Sequence, residues 1–155
     1  MLEDVLRDQD RISGDASQLD YFTANLSRMI VEDNKADEEF NRVIQFSKVA
    51  EDSFDLGIEA HHRKFLLKYA HVIREQEGQP ELFGEYRLLE VDENHSNGNK
   101  FTSGDLFSFL IDQDGNARVN GKIVLCAPNS IHERVQRKVV KKAILFAIHK
   151  SMLPA

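Results

Sequence analysis

Apolar residues recur at three-to-four spacing through the first half of the chain and in short, denser runs through the second. Leu19, Phe22, Leu26, Met29 and Ile30 fall on one stripe of a helical wheel, and Asp15 followed by Gln18 resembles an N-terminal capping pair. The spacing predicts a helix over residues 16–32, and Leu2, Val5, Leu6 and Ile12 add a short helix or a frayed turn before it. Asn34 can cap a second run, in which Phe40, Val43, Ile44, Val49, Ala50, Phe54, Ile58, Phe65, Leu66, Tyr69, Val72 and Ile73 keep a helical period. That run is predicted to end near Glu77, at Gly78 and Pro80. It is long for one globular helix, and Asp55-Leu56-Gly57 marks a kink or a break, so residues 34–77 form one helix or two.

After Pro80 the pattern shortens to β-like runs over 86–91, 106–111 and 118–125, with turn-rich segments between them. Residues 94–99 (Asn-His-Ser-Asn-Gly-Asn) are the most loop-like, and Asp114-Gly115 supplies the positive-φ residues of a tight hairpin. Ser130 followed by Glu133 is a capping box, after which Val135, Val139, Val140, Ile144, Ala147 and Ile148 run helically to Pro154. The expected fold class is therefore α+β: an N-terminal helical hairpin with a long second helix, a three-stranded antiparallel sheet and a C-terminal helix. Residues 1–79 form the helical region, a possible dimer arm, and 80–155 a small β-β-β-α region, the two joined in one cooperative domain.

Length and composition fit that single domain: 155 residues, 41% hydrophobic and 30% charged. No window is apolar enough for a membrane span, and the start lacks the basic-then-apolar order of a secretion signal. Cys126 is the lone cysteine, so neither an internal disulfide nor a cysteine-bound zinc site is expected. These features point to a cytoplasmic protein. Its charge is uneven: residues 1–79 are net −7, 80–127 net −4 and 128–155 net +5, within a total of −6. An acidic body repels polyanions, so nucleic acid is expected to dock only through the C-terminal basic helix. Arg134, Arg137, Lys138, Lys141, Lys142 and Lys150 make that face, which serves either as a docking surface or as a complement to the acidic N-terminal half.

Several short patterns suggest chemistry. Asp55, Glu59 and His62 share one face if their segment is helical, and Glu-x-x-His motifs of this kind hold di-iron centres when two of them converge. Arg63, Lys64 and His71 resemble the Arg-polar-x-His signature of HEPN ribonucleases, with lysine where that family usually has asparagine, aspartate or histidine. The resemblance makes Arg63 and His71 an RNA-cleaving pair. Asp105, then Asn120-Gly121-Lys122, resembles the acidic and x-Lys pattern of restriction-endonuclease-like nucleases, with Asn120 in place of the usual acid. That resemblance implies magnesium as cofactor, Asp105 as ligand, Lys122 as catalytic group, and Glu59 standing in for a helix acid. The Asp112-Asp114 pair departs from a calcium loop at its sixth and twelfth positions and reads as a hairpin turn. Cys126 has no arginine placed as a phosphatase loop requires, His132 standing there instead.

No dense catalytic constellation stands out, and the long amphipathic stretches carry more apolar positions than one small sheet covers. The sequence thus favours a non-enzymatic, cofactor-free protein-binding or oligomerising module: an adaptor, chaperone-like partner, inhibitor or small subunit. Phe40, Ile44, Phe54, Ile58 and Phe65 are the expected association stripe, and Arg134, Arg137, Lys138, Lys141 and Lys142 the expected docking face. A divergent magnesium-dependent nuclease is the alternative.

Overall fold

A computed structural model describes residues 2–92, 100–101, 104–119, 122–125 and 133–154, with side chains placed from residue 15 onward except at 76, 100–101 and 122–136. The elements in chain order are α1 (Leu2–Ala36), α2 (Glu38–Val43), β1 (Ile44–Lys48), β2 (Leu56–Ala60), β3 (Arg63–Gln76), β4 (Gln79–Asp92), β5 (Lys100–Phe101), β6 (Phe107–Ile111), β7 (Ala117–Val119), β8 (Lys122–Leu125) and α3 (Glu133–Ser151). The strands form a curled antiparallel sheet in the order β1-β2-β3-β4-β6-β7-β8, and β5 pairs with the far end of β4.

This corrects the expected architecture. The class is α+β with a long first helix and a C-terminal helix, but residues 34–77 are not the second arm of a helical hairpin. They form α2 and three strands, so the sheet is much larger than three strands. The physical reason is a period of two: Ile44 and Phe46, Leu56, Ile58 and Ala60, then Phe65, Leu67 and Tyr69 all point to one face, as a half-buried strand requires. Asn34 caps nothing. Its amide donates to the Ile44 carbonyl at 2.8 Å, and the α2 N-cap is Asp37, whose carboxylate accepts the Phe40 N–H at 3.2 Å.

Tight turns fold the sheet. His61 and His62 connect β2 to β3 with φ of 53° and 60°, left-handed values that a two-residue hairpin turn demands and that histidine tolerates better than most residues. Glu77 and Gly78 do the same between β3 and β4, so Gly78 turns one strand into the next rather than ending a helix, and Pro80 lies inside β4 opposite Glu75. Between β6 and β7 the buried carboxylate of Asp112 accepts the N–H groups of Asp114 at 3.0 Å and Asn116 at 2.9 Å, and Nε of Arg118 at 2.8 Å. Asp114-Gly115 lies in this turn, where the sequence places it.

The core lies between one sheet face and the two long helices. Helix α1 contributes Leu19, Thr23, Leu26, Ser27, Ile30 and Asn34, and α3 contributes Val140, Ile144, Ala147 and Ile148. From the sheet come Ile44, Phe46, Leu56, Ile58, Phe65, Leu67, Tyr86, Leu88, Phe109 and Ile111. Burial of each such side chain supplies about 1.5–3 kcal/mol of hydrophobic stabilisation. Two polar links cross the interior: Thr23 donates to the Tyr69 hydroxyl at 2.9 Å, and the Tyr86 hydroxyl donates to the Phe54 carbonyl at 2.7 Å. Burial pushes both phenols above their ordinary pKa.

Asp37 makes the fold acid-sensitive at the α1–α2 corner. Its hydrogen bond from the Phe40 N–H, with Lys138 Nζ 3.2 Å away, holds its carboxyl below the usual carboxylate range. The folded pKa lies below the unfolded one, so ionised Asp37 stabilises the fold above about pH 4, and that contribution is lost as pH falls through the folded value. Unfolding midpoints of wild type and Asp37→Asn should accordingly differ at pH 6 and converge as the pH is lowered below about 4. A constant difference across that range would contradict this assignment.

Candidate functional site

The apolar residues expected to form an association stripe do not share a surface. Ile44, Ile58 and Phe65 sit in β1, β2 and β3 as core residues no more than 2% exposed. Phe54 is half-buried before β2, edge-on to the Tyr69 ring at 5.3 Å. Phe40 is half-buried in α2, with Lys141 Nζ 4.8 Å and Lys138 Nζ 5.6 Å from its ring centroid.

Much of the basic face of α3 is turned onto the chain's own acids. Arg137 Nε donates to Asp33 Oδ2 of α1, and its Nη2 to Oδ1 at 3.3 Å, both partners being largely buried. Lys138 meets Asp37 at 3.2 Å, and Lys141 is buried over Phe40. The positive segment thus complements the acidic half, which explains how two helices carrying opposite charge come to pack side by side. Lys142 is exposed, and the side chain of Arg134 lies outside the described residues.

A second row on α3 faces solvent. Val139 is 46% and Phe146 70% exposed, seven residues apart and so on one helix face, and Leu153 continues the row just past the helix end at 70%. Lys142 and Lys150 flank it. An exposed phenylalanine in mid-helix covers no core, and Val139, Phe146 and Leu153 make an exposed apolar row with lysines set along it.

The other open surface crosses the outer face of β1, β2 and β3. A concavity of about 610 Å³ is lined by Arg42, Val43, Gln45, Glu59, Ala60, His61, His62, Arg63 and Lys64. A groove of about 720 Å³ adjoins it, with Ser47, Val49, Gly57 and Leu66 in its wall and Gln45, Glu59 and Lys64 in common. The two form one trough, basic at the β2–β3 turn and more apolar at Val49, which is 57% exposed. Behind the turn, His61 Nε2 and His149 Nε2 share a hydrogen bond at 2.8 Å, tying α3 to it.

The proposed metal and nuclease residues are spread out. Asp55 precedes β2 and accepts the Tyr69 N–H at 2.8 Å, Glu59 lies within β2 and His62 in the turn after it. Along a strand, four residues span roughly 13 Å, so the helical face that would have joined them does not exist. Arg63 and His71 are eight residues apart in β3, roughly 26 Å. His71 instead meets Asp20 at 2.8 Å, and Arg63 meets Glu90 at 3.6 Å. Asp105 stands before β6 beside Arg87 Nη1 at 3.5 Å, whereas Lys122 begins β8, with β7 between their strands. Asn120 and Cys126 lie outside the described residues. Among the described residues no group of three His, Cys, Asp or Glu side chains is placed to hold a metal ion. Nor is any described helix long and apolar enough to cross a membrane.

Sequence reasoning missed both open surfaces. Val139 was assigned to the buried stripe, although it steps by seven to Phe146 while Val140 steps by four to Ile144 and Ile148. Two apolar rows on one helix were the available signal. The basic trough had none, because reading residues 34–77 as helix disperses Arg42, His61 and His62 over different turns. Compared with known proteins, the chain matches no family model, no curated protein and no solved structure.

Proposed function

We propose that the protein is a non-enzymatic binding module that docks a protein partner on the outer face of α3. The observation that carries this reading is the Val139–Phe146–Leu153 row, apolar, exposed and flanked by Lys142 and Lys150, on a helix whose opposite side is already buried. Covering Phe146 alone would contribute roughly 1.5–3 kcal/mol to association. The lysine margin selects a partner surface that is apolar at its centre and acidic at its edge, since like charges across an interface are costly. Arg137, Lys138 and Lys141 serve a different purpose, holding α3 in place so that the ridge is presented rigidly.

A photo-activated crosslinker at position 146, expressed in the native cell, should give one discrete protein adduct, and one at Arg28 on the α1 surface should not. The adduct should vanish when Val139→Glu is added, a change at an exposed site that leaves the unfolding free energy within about 1 kcal/mol of the parent. Light scattering at micromolar concentration identifies the case in which the partner is a second copy. A monomer that yields no adduct from position 146 would sink the proposal.

A further inference from the structure

We infer that His61 and His149 form a surface site for a divalent transition-metal ion of the zinc, nickel or copper class, which would clamp α3 to the β2–β3 turn. The geometry of the pair carries this. His61 Nε2 and His149 Nε2 stand 2.8 Å apart, while the ring centroids are 4.9 Å apart and the planes are inclined by 50°. The rings therefore meet corner to corner, each turning its Nε2 toward the other, rather than stacking. A hydrogen bond between them needs one ring protonated at Nε2 and the other at Nδ1. A metal ion in place of that shared proton takes the lone pairs of both. With zinc–nitrogen bonds of about 2.0–2.1 Å, two imidazole nitrogens on a tetrahedral ion lie about 3.3–3.4 Å apart, so the rings have only to part by roughly 0.5 Å.

Both ligands stand on firmly placed backbone, 88 residues apart in sequence. His61 opens the two-residue turn after β2, directly following the buried Ala60, with a φ of 53°. Asparagine or glycine would hold that left-handed turn at lower cost, and histidine there brings an imidazole to the place where α3 supplies a second one. His149 lies in the last turn of α3, next to the buried Ala147 and Ile148. Both imidazoles are exposed, so an ion can enter and water can fill its remaining positions.

The donor type selects the ion. Imidazole nitrogen suits zinc, nickel and copper, whereas magnesium and calcium want oxygen ligands. The surroundings admit a cation: Arg63, just after the turn, is matched by Glu90 at 3.6 Å, and Glu59 adds a carboxylate to the concavity that His61 lines. Arg42, on the same concavity, is exposed and screened by solvent, and the chain as a whole is net −6.

The test is zinc chloride titrated into the full chain, followed by calorimetry and by thermal unfolding, with magnesium chloride as the control. Zinc is expected to bind saturably at one ion per chain. At a hundredfold excess over its Kd it should raise the unfolding midpoint by roughly 5 °C or more, because the ion binds only while the turn and α3 are together. Magnesium should do neither. His61→Asn, a residue that tolerates positive φ, and His149→Gln should each weaken zinc binding about tenfold or more and abolish the rise. His71→Gln, further along β3, should leave binding unchanged. In the wild type, proton–nitrogen correlation spectra of the imidazoles should show the His61 and His149 rings moving together as zinc is added, which reads the bridge without any variant. Zinc binding that survives both variants, that is lost in only one of them, or that moves only one of the two rings overturns the bridge. Absence of saturable zinc binding overturns the site, and equal binding of magnesium overturns the metal class. None of these outcomes bears on the α3 ridge, which the crosslinker at position 146 reads independently.

Discussion

Arg137→Ala is expected to destabilise the protein by about 3–5 kcal/mol, the cost of removing one member of a largely buried ion pair. Arg137 is only 8% exposed and reaches across from α3 to Asp33 on α1 with two hydrogen bonds. Taking both charges out of water is itself expensive, and the pair repays that cost only while both members are present. Asp33→Ala should therefore hurt by a similar amount, and the double variant Asp33→Leu, Arg137→Met should recover most of the loss. Urea unfolding measures each loss, and adding the double variant Asp33→Ala, Arg137→Ala closes a cycle that gives the coupling energy. If Arg137→Ala alone costs less than about 1 kcal/mol, the pair behaves as a screened surface contact and α3 is held by its apolar stripe instead. Because the proposed ridge needs α3 to be fixed, the same variant should also weaken the crosslink from position 146, whereas the recovered double variant should restore it.

The C-terminal helix and the stripe of α1 were legible because each carries a period of 3.6 over many turns, and Leu19, Leu26 and Ile30 are indeed buried on α1, but α1 runs unbroken from Leu2 to Ala36, so the Asp15–Gln18 pair read as its cap lies in mid-helix. The turn at Asp114-Gly115 was legible because Gly115 takes a φ of 85°, although Asp114 does not share the positive φ expected of it and the connection runs from residue 112 to 116. What misled was the middle third. Between Ile44 and Tyr69 the buried set includes Phe46, Leu56 and Leu67, which complete an alternation, while exposed Val49 and Ile73 mimic a helical stripe. The connection that would have signalled a hairpin is His61-His62, which satisfies the left-handed turn without the glycine or asparagine that usually announces it. Once that turn is missed, the two strands around it merge into one apparent helix. Every site built on a helical face then moves: Asp55, Glu59 and His62 spread along a strand, and Phe40, Ile44, Phe54, Ile58 and Phe65 divide between the core and its edges.

The charge pattern shows what sequence could and could not supply. The +5 terminal segment beside a −7 N-terminal region correctly suggests an internal match, realised as Arg137–Asp33 and Lys138–Asp37. It gave no means of deciding which cations would remain outward, because that depends on the rotation of α3 about its axis. Packing of Val140, Ile144 and Ile148 fixes the rotation, and Val139, Lys142 and Phe146 are outward as a consequence.

Gly84→Ala is expected to cost about 2–4 kcal/mol, within the range for forcing extra volume into a packed site. Gly84 lies in β4 on the core face, and a methyl group there would stand 2.4 Å from the Tyr69 hydroxyl oxygen and 2.6–2.8 Å from its ring carbons. Neither side can yield cheaply. The Tyr69 ring is held edge-on by Phe54 at 5.3 Å, lies 5.0 Å from Tyr86, and has its hydroxyl bonded to Thr23 on α1. Moving it breaks the polar link between α1 and the sheet and disturbs the aromatic row that continues through Tyr86 to Phe109. The glycine is thus required by close approach of a ring, a known device for placing an aromatic flat over a strand. Tyr69→Ala should itself be destabilising by about 3–5 kcal/mol, as for other large aromatic truncations. Gly84→Ala made in that background should add almost nothing, because the atoms it meets are gone. Additive losses in the double variant would mean that the glycine serves backbone freedom rather than the ring, and that β4 does not need its close approach to Tyr69.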